Sequence, residues 1–229
     1  MRDYALSIID QVHARWRENA DANSILYCSG FSIFYGPLRT RPALMFVGVN
    51  PGGLAGDFED VDFLAAEKTR QDLPAMEYAT ETYSLATRTR DLFNQVGRPD
   101  LLASAVKTNL NFFRSRDQAS MPTSDEAFCR ELVFDMIRRI CPRVLFCESI
   151  GVLDVIRTQL YPAGDLVERQ TLTRDRSNGR LYVSYLGRES EDLPGLLVGV
   201  PHLSSERTRV SDAERNRIAE ALKADLEGI

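Results

Sequence analysis

The sequence predicts one α/β domain in which helices cover both faces of a mostly parallel sheet of about four strands, a three-layer αβα arrangement. Short apolar runs alternate with helical patterns along the 229 residues, and this alternation is typical of βαβ units. The runs are apolar at nearly every position, as expected for parallel strands buried on both faces. Neither an internal repeat nor a Pro/Ser-rich linker divides the chain, so residues 1–229 are interpreted as a single domain.

The helices are predicted from apolar periodicity and from their end signals. Tyr4, Ile8, Val12 and Trp16 recur every four residues and predict a first helix over 3–19. Later helices are expected where a capping residue precedes the pattern or where Gly or Pro follows it. These helices span 82–96, 123–140, 149–160 and 211–226.

The strands are predicted from apolar runs bounded by turn residues. Core strands are expected over 43–49, 105–110, 144–147 and 196–200. Ser29-Gly30 predicts a short hairpin within 24–36, and Asn178-Gly179 predicts a second hairpin between 167–172 and 181–186. Residues 54–80 are acidic and are expected to form a loop with helical turns.

The net charge and the hydropathy of the chain limit which kinds of function it can have. The net charge of −5 argues against a protein that coats nucleic acid by bulk attraction, but it leaves room for a DNA enzyme with a local basic rim. The candidates for that rim are Arg114, Arg116, Arg207 and Arg209. No segment approaches the roughly 20 apolar residues that span a bilayer, and the N-terminus lacks a signal-peptide pattern. We therefore expect no membrane partner and a cytoplasmic location.

The cysteines predict neither a disulfide framework nor a metal site. The four residues are Cys28, Cys129, Cys141 and Cys147, and no two of them form a CxxC pair. Structural zinc and iron–sulfur sites normally include closely spaced ligands. We interpret the cysteines as buried thiols, and we expect no metal and no cofactor.

Polar residues follow the predicted core strands. In parallel sheets, binding sites form at the carboxyl ends of the strands. The segments at those ends are 50–52, 109–111, 148–149 and 202–204. This placement predicts that Asn50, Asn109 and His202 share one cleft.

Two of these segments resemble signature motifs of the uracil-DNA glycosylase superfamily. Gly48-Val49-Asn50-Pro51-Gly52 is similar to the Gly-x-Asn-Pro-Gly motif of the mismatch-specific and single-strand-selective branches. His202-Leu203-Ser204 resembles the His-Pro-Ser motif near the C-terminus, with leucine in place of proline. Between them, Thr108-Asn109 resembles the position of the base-recognising asparagine. Phe63 is placed as the aromatic that stacks on the base, and Phe58 is the alternative.

The resemblance implies a uracil-DNA glycosylase-like fold and a monofunctional DNA glycosylase that leaves an abasic site. A flipped-out base would be recognised by Asn109, with Asn111 as the alternative. Asn50 would position the attacking water, and His202 would donate a hydrogen bond to the base as negative charge develops. The expected pocket residues are Gly48, Val49, Pro51, Gly52 and Phe63, and the expected DNA contacts are Leu203, Ser204, Ser205, Arg207 and Arg114. DNA is the expected partner of a monomeric enzyme.

The residues after Pro51 indicate a wide pocket. In the strict uracil enzymes of this superfamily a tyrosine follows the motif proline and excludes 5-substituted pyrimidines, whereas Gly52 and Gly53 stand here. We therefore expect a substituent at C5 of the base to be tolerated. Uracil, a mismatched base and a hypermodified phage cytosine all stay open, and so do DNA repair and anti-phage defence.

Two other functions are open at this stage. A nucleoside or nucleotide hydrolase would use the same cleft and would suit an acidic chain, although no glycine-rich phosphate loop is present. A non-catalytic binder of modified DNA would keep the fold without the chemistry. Lys107 and Asn109 share one face of their strand, so direction alone does not remove this lysine from the site.

Overall fold

The computed structural model describes residues 1–20, 30–52, 61–114, 123–174, 179–187, 192–203 and 210–227, and the structural statements below refer to these residues. Six strands form one sheet in the described part of the chain. They are β1 (Leu44–Gly48), β2 (Val106–Asn109), β3 (Val144–Cys147), β4 (Leu166–Thr173), β5 (Arg180–Gly187) and β6 (Leu196–Gly199).

The sheet is mixed, with the strand order β2-β1-β3-β6-β5-β4. β2, β1, β3 and β6 are parallel neighbours, and these are the four core strands that the sequence predicts. β5 and β4 continue the sheet in antiparallel orientation. The expected count of about four strands is therefore wrong. The second predicted hairpin is present, but it adds two strands to the sheet because β5 pairs along the free edge of β6.

Seven α-helices lie within the described ranges. They are α1 (Arg2–Ala20), α2 (Phe63–Arg70), α3 (Ser84–Val96), α4 (Asp100–Ser104), α5 (Thr123–Ile140), α6 (Ile150–Leu160) and α7 (Asp212–Leu226). The short α4 is absent from the sequence prediction. The segment 54–80, expected to form a loop with helical turns, contains α2 and a 3-10 turn over Glu77–Ala79 in its described part. The Ser211 side chain caps α7 as predicted, in a capping box with Glu214.

Helices pack on both faces of the sheet. One apolar cluster joins α1, α5 and α6 to side chains such as Val47 of β1 and Leu145 of β3. The other joins α3, α4 and α7 to the opposite face, including Phe46 of β1 and Phe146 of β3. Because β1, β2, β3 and β6 are buried throughout, their apolar residues are needed on both faces. The α/β class and the three layers are thus present.

The segment 30–36 runs beside the outer edge of β2. Phe31 forms an isolated antiparallel bridge with Phe113, and the Ser32 N–H donates to the Phe112 carbonyl at 2.8 Å. The first half of the hairpin predicted within 24–36 lies outside the described residues, and the second half contacts the chain after β2. This segment covers the edge of β2 next to the strand ends.

Among the described cysteines, Cys129 and Cys147 are buried free thiols, as predicted, whereas Cys141 is only half-buried. Burial raises the pKa of the Cys129 thiol to about 12, so this sulfur stays protonated and packs as an apolar group. None of the described helices is both long and apolar enough to cross a membrane.

Candidate active site at the carboxyl edge of the sheet

The predicted site residues lie at one edge of the sheet. β2, β1, β3 and β6 are adjacent and parallel, so their carboxyl ends open on the same side. Asn109 ends β2, Asn50 follows β1 by two residues, Glu148 follows β3 directly and His202 follows β6 by three residues. The two loops with motif similarity therefore lie at the same end of the molecule.

Backbone hydrogen bonds hold the end of β1 and the start of the loop that follows it against the chain after β2. The Leu110 and Asn111 N–H groups donate to the carbonyls of Gly48 and Val49 at 2.9 and 3.0 Å. Asn50 is half-buried, and its Nδ2 donates to the Pro51 carbonyl at 3.3 Å. This bond engages the donor end of the amide, and the side-chain carbonyl is its acceptor end.

Arg114 holds the end of the same loop. Its guanidinium donates to the Gly52 carbonyl, and its backbone N–H donates to the Gly30 carbonyl at 2.9 Å. Burial lowers the pKa of Arg114 from its usual value. Arg114 was expected to contact DNA, and the structure places it between the loop and the 30–36 segment, where it fixes loop position.

Gly48 and Gly52 differ in their surroundings. A Cβ added to Gly48 would overlap Asn109 Oδ1 and would lie 3.1 Å from the Glu148 carboxylate. A Cβ added to Gly52 would meet none of the described residues within 4 Å. Gly48 is thus required for the close approach of Asn109 to the backbone of β1.

A buried ion pair lies beside Gly48. Lys107 and Glu148 form a salt bridge, and each residue is 3% exposed. The Tyr78 hydroxyl donates to the second Glu148 oxygen at 2.6 Å. Burial, followed by the charge of Glu148, raises the pKa of Tyr78 far above its ordinary value, so the phenol stays a proton donor. Both Glu148 oxygens are therefore engaged by buried donors.

Asn109 is held by Tyr35. The Asn109 Nδ2 donates to the Tyr35 hydroxyl oxygen at 2.9 Å. Tyr35 is positioned by the segment 30–36, whose Tyr35 N–H donates to the Lys107 carbonyl at 3.3 Å and whose Ile33 carbonyl accepts from the Thr108 hydroxyl at 2.8 Å. The asparagine is thus fixed between β1 and the segment that covers β2.

His202 lies close enough to the buried ion pair to be affected by both charges. Its pKa is lowered from the ordinary value, first because the ring is removed from water and then because of the Lys107 charge, while Glu148 opposes this shift. At neutral pH the imidazole is therefore uncharged and has one N–H to donate. Lys107 and Glu148 also border Gly48. The ion pair therefore lies near both the loop after β1 and the loop after β6.

Leu203 and Phe63 pack inside the protein. Leu203 is 4% exposed in the core cluster of α3 and α7, and its carbonyl accepts from Arg88 at 2.6 Å. Phe63 is 8% exposed, and its ring centroid lies 5.7–5.8 Å from those of Phe31 and Trp16. In this conformation neither side chain has the exposed surface that contact with DNA or stacking on a base requires.

The other expected site residues within the described ranges are buried or half-buried. Val49 is half-buried against the core and Pro51 is buried. Asn111 is buried, and neither of its amide atoms has a hydrogen-bond partner among the described residues. The remaining expectations lie outside the described residues: Phe58, Arg116, Ser204, Ser205, Arg207 and Arg209.

Sequence reasoning did not single out Tyr35, Tyr78 and Arg88. Each acts on a site residue distant in sequence, 74 positions away for Tyr35 and Asn109, and no local pattern marks such a contact. Glu148 did have a signal, since it is a charged residue directly after an apolar strand. Within the described ranges, no group of three His, Cys, Asp or Glu residues is arranged to hold a metal ion.

Comparison with known proteins adds no family to this geometry. No model of a known protein family matches the chain, and no curated protein matches its sequence.

Proposed function

We propose that the chain is a monofunctional DNA glycosylase that hydrolyses the bond between a flipped-out base and its sugar. The observation that supports this function best is the shared edge, where Asn50, Asn109 and His202 lie at the carboxyl ends of three of four adjacent parallel strands. Asn109 faces the backbone of β1, and His202 lies near the same ion pair that borders Gly48. Chemistry between the two loops requires this proximity.

Each group has one part in the reaction. Water held by the Asn50 side-chain carbonyl adds to C1′ of the sugar while the bond from C1′ to the base breaks. The bonding electrons leave with the base, and the water proton passes to solvent or to the departing base. His202 donates its N–H to a carbonyl oxygen of the base, where negative charge develops. An amide is a poor proton acceptor, so the rate is expected to be modest.

The state of Lys107 supports hydrolysis by water. A lysine that attacks C1′ must be uncharged and mobile. Lys107 is buried and paired with Glu148, and this pairing holds its side chain in place. No Schiff base and no strand cleavage are therefore expected, and the product is an abasic site.

The surroundings of Gly52 support a pocket that admits a group at C5 of a pyrimidine. Within the described part of the chain, the space beside this glycine is open. Uracil, mismatched or deaminated bases and 5-modified pyrimidines remain substrate candidates, and DNA repair or anti-phage defence remains the proposed setting.

Strand-break assays test the proposal. End-labelled single- and double-stranded oligonucleotides with different single bases are incubated with the protein and then treated with alkali, which cleaves at abasic sites. We expect alkali-dependent breaks for at least one base and their loss in Asn50→Ala. Asn216→Ala, an exposed asparagine on α7, is the matched control and should keep activity.

The other functions give different results in the same assay. A nucleoside hydrolase would release bases from free nucleosides but not from oligonucleotides. A non-catalytic binder would retain an oligonucleotide without forming an abasic site. Breaks that appear without alkali would contradict the monofunctional mechanism.

A further inference from the structure

Tyr35 and Asn109 are joined by a hydrogen bond, and Tyr35 is the more accessible of the two residues. Asn109 is buried, whereas the Tyr35 side chain is half-buried. Both backbone groups of Tyr35 are bonded, the N–H to the Lys107 carbonyl at 3.3 Å and the carbonyl to the Glu77 N–H at 2.7 Å. The backbone of Tyr35 is therefore fixed beside β2, and its hydroxyl lies at the Asn109 amide.

The hydroxyl of Tyr35 has a proton left to donate. A phenol has one proton and two lone pairs, and the Asn109 Nδ2 occupies one lone pair at 2.9 Å. Among the described residues no group accepts the Tyr35 proton. Tyr78 differs, because its proton is donated to Glu148 at 2.6 Å. Tyr35 is thus a fixed donor whose acceptor can come from a ligand.

Lys107 and Arg70, the described cations that lie over the Tyr35 ring, are both paired with carboxylates. The Lys107 Nζ lies 4.8 Å and the Arg70 guanidinium 5.9 Å from the ring centroid. Lys107 is paired with Glu148, and Arg70 is paired with Glu67 and Glu77. A phosphate would meet no unpaired cation among these groups. A neutral heterocycle with a polar edge suits them better.

We propose that Tyr35 contacts the base directly and donates its hydroxyl proton to an acceptor next to the edge that Asn109 recognises. This inference rests on the proposed glycosylase function. Because the Asn109 Nδ2 engages the acceptor side of the phenol, the proton is left for the ligand. A carbonyl oxygen at that position accepts it, whereas an exocyclic amino group can use only the second lone pair of the phenol and leaves the hydroxyl proton without an acceptor. Tyr35 therefore selects a carbonyl over an amino group.

A comparison of base release by wild type and Tyr35→Phe tests this role. Single-turnover rates are measured on oligonucleotides containing uracil, cytosine and the 5-hydroxymethyl derivative of each. We expect wild type to prefer the carbonyl-bearing base of each pair, and Tyr35→Phe to reduce that ratio by about 10-fold, the value of one neutral hydrogen bond. An unchanged ratio, or an equal loss on both bases, would overturn the inference.

Tyr161→Phe is the matched control. Its hydroxyl donates to the Pro194 carbonyl at 2.9 Å, and Pro194 precedes β6 at the opposite end of the strand. The control loses a buried phenol hydrogen bond away from the site, so its ratio should equal that of wild type.

Binding separates this inference from the glycosylase proposal. If wild type releases no base, the glycosylase proposal fails, and Tyr35 is then tested by calorimetry with uracil- and cytosine-containing oligonucleotides. Tighter binding of the uracil oligonucleotide by wild type, with that preference lost in Tyr35→Phe, supports the contact. Equal binding by wild type, or an unchanged preference in the variant, contradicts it.

Discussion

The parallel part of the sheet and the β4–β5 hairpin place their polar side chains differently. At the carboxyl edge of the parallel part, Lys107, Asn109 and Glu148 are buried. The hairpin instead has mostly exposed side chains on β4, and its Arg180 forms a half-exposed ion pair with Asp154 of α6. Burying charge costs free energy, and along these strands the chain bears that cost at the edge where we propose the chemistry occurs.

The largest contrast is expected between two glycines of one loop. Gly48→Ala would displace the Asn109 amide, and a shift of about 1 Å in a positioning group can cost on the order of 100-fold in rate. Gly52→Ala meets none of the described residues within 4 Å and should stay close to wild type. Single-turnover base release measures both variants, with circular dichroism to show that they fold. Equal losses would contradict the close approach of Asn109 to Gly48.

The ion pairs of the two regions should differ in their effect on stability. Glu148→Gln leaves the Lys107 charge buried without its partner, which should lower the free energy of unfolding by about 3–5 kcal/mol. Asp154→Asn removes a partner of the half-exposed Arg180 and should cost about 0–1 kcal/mol. Urea unfolding at pH 7 compares the two. Similar costs would show that burial does not distinguish the regions.

A smaller effect is expected from pH. Burial lowers the pKa of His202, so the unfolded chain binds this proton more readily than the folded protein does. The free energy of unfolding is therefore unaffected by this proton above the pKa of histidine in the unfolded chain, about 6.5. It decreases as pH falls from there towards the lower pKa of His202 in the folded protein. Unfolding of wild type and His202→Gln is measured between pH 8 and pH 5. The variant should lack this loss, and a parallel decline in both would contradict the assignment.

The smallest effect is expected on β4. Val167 is 62% exposed on this edge strand, so Val167→Thr should change the free energy of unfolding by no more than about 0.5 kcal/mol and should leave base release unchanged. The same two assays measure this variant. Loss of activity would extend the functional surface to the hairpin.

The sequence was sufficient for the four core strands, for most of the helices and for the edge of the candidate site. Apolar runs specify buried strands regardless of their neighbours, so β3 spans 144–147 as predicted. Pairing is less evident, because nothing local shows that β5 joins β6 and extends the sheet. In the candidate site, Asn50, Asn109 and His202 were recognisable at strand ends. Tyr35 and Tyr78 were not, since their roles depend on contacts between distant segments.

Phe63 illustrates the limit of spacing as a guide. Its distance along the chain from Asn50 suited a stacking aromatic, but its ring packs with Phe31 and Trp16. Spacing along a loop does not fix the direction of a side chain. Burial against α1 decides it here.

The most direct test of the shared site is a double-mutant cycle. Base release in single turnovers is compared for wild type, Asn50→Ala, His202→Ala and the double variant. If both residues act on one scissile bond, each single variant should lose about 100-fold or more. The double variant should then lose much less than the product of the two. Fully multiplicative losses, or wild-type rates in either single variant, would contradict a common site for the two loops.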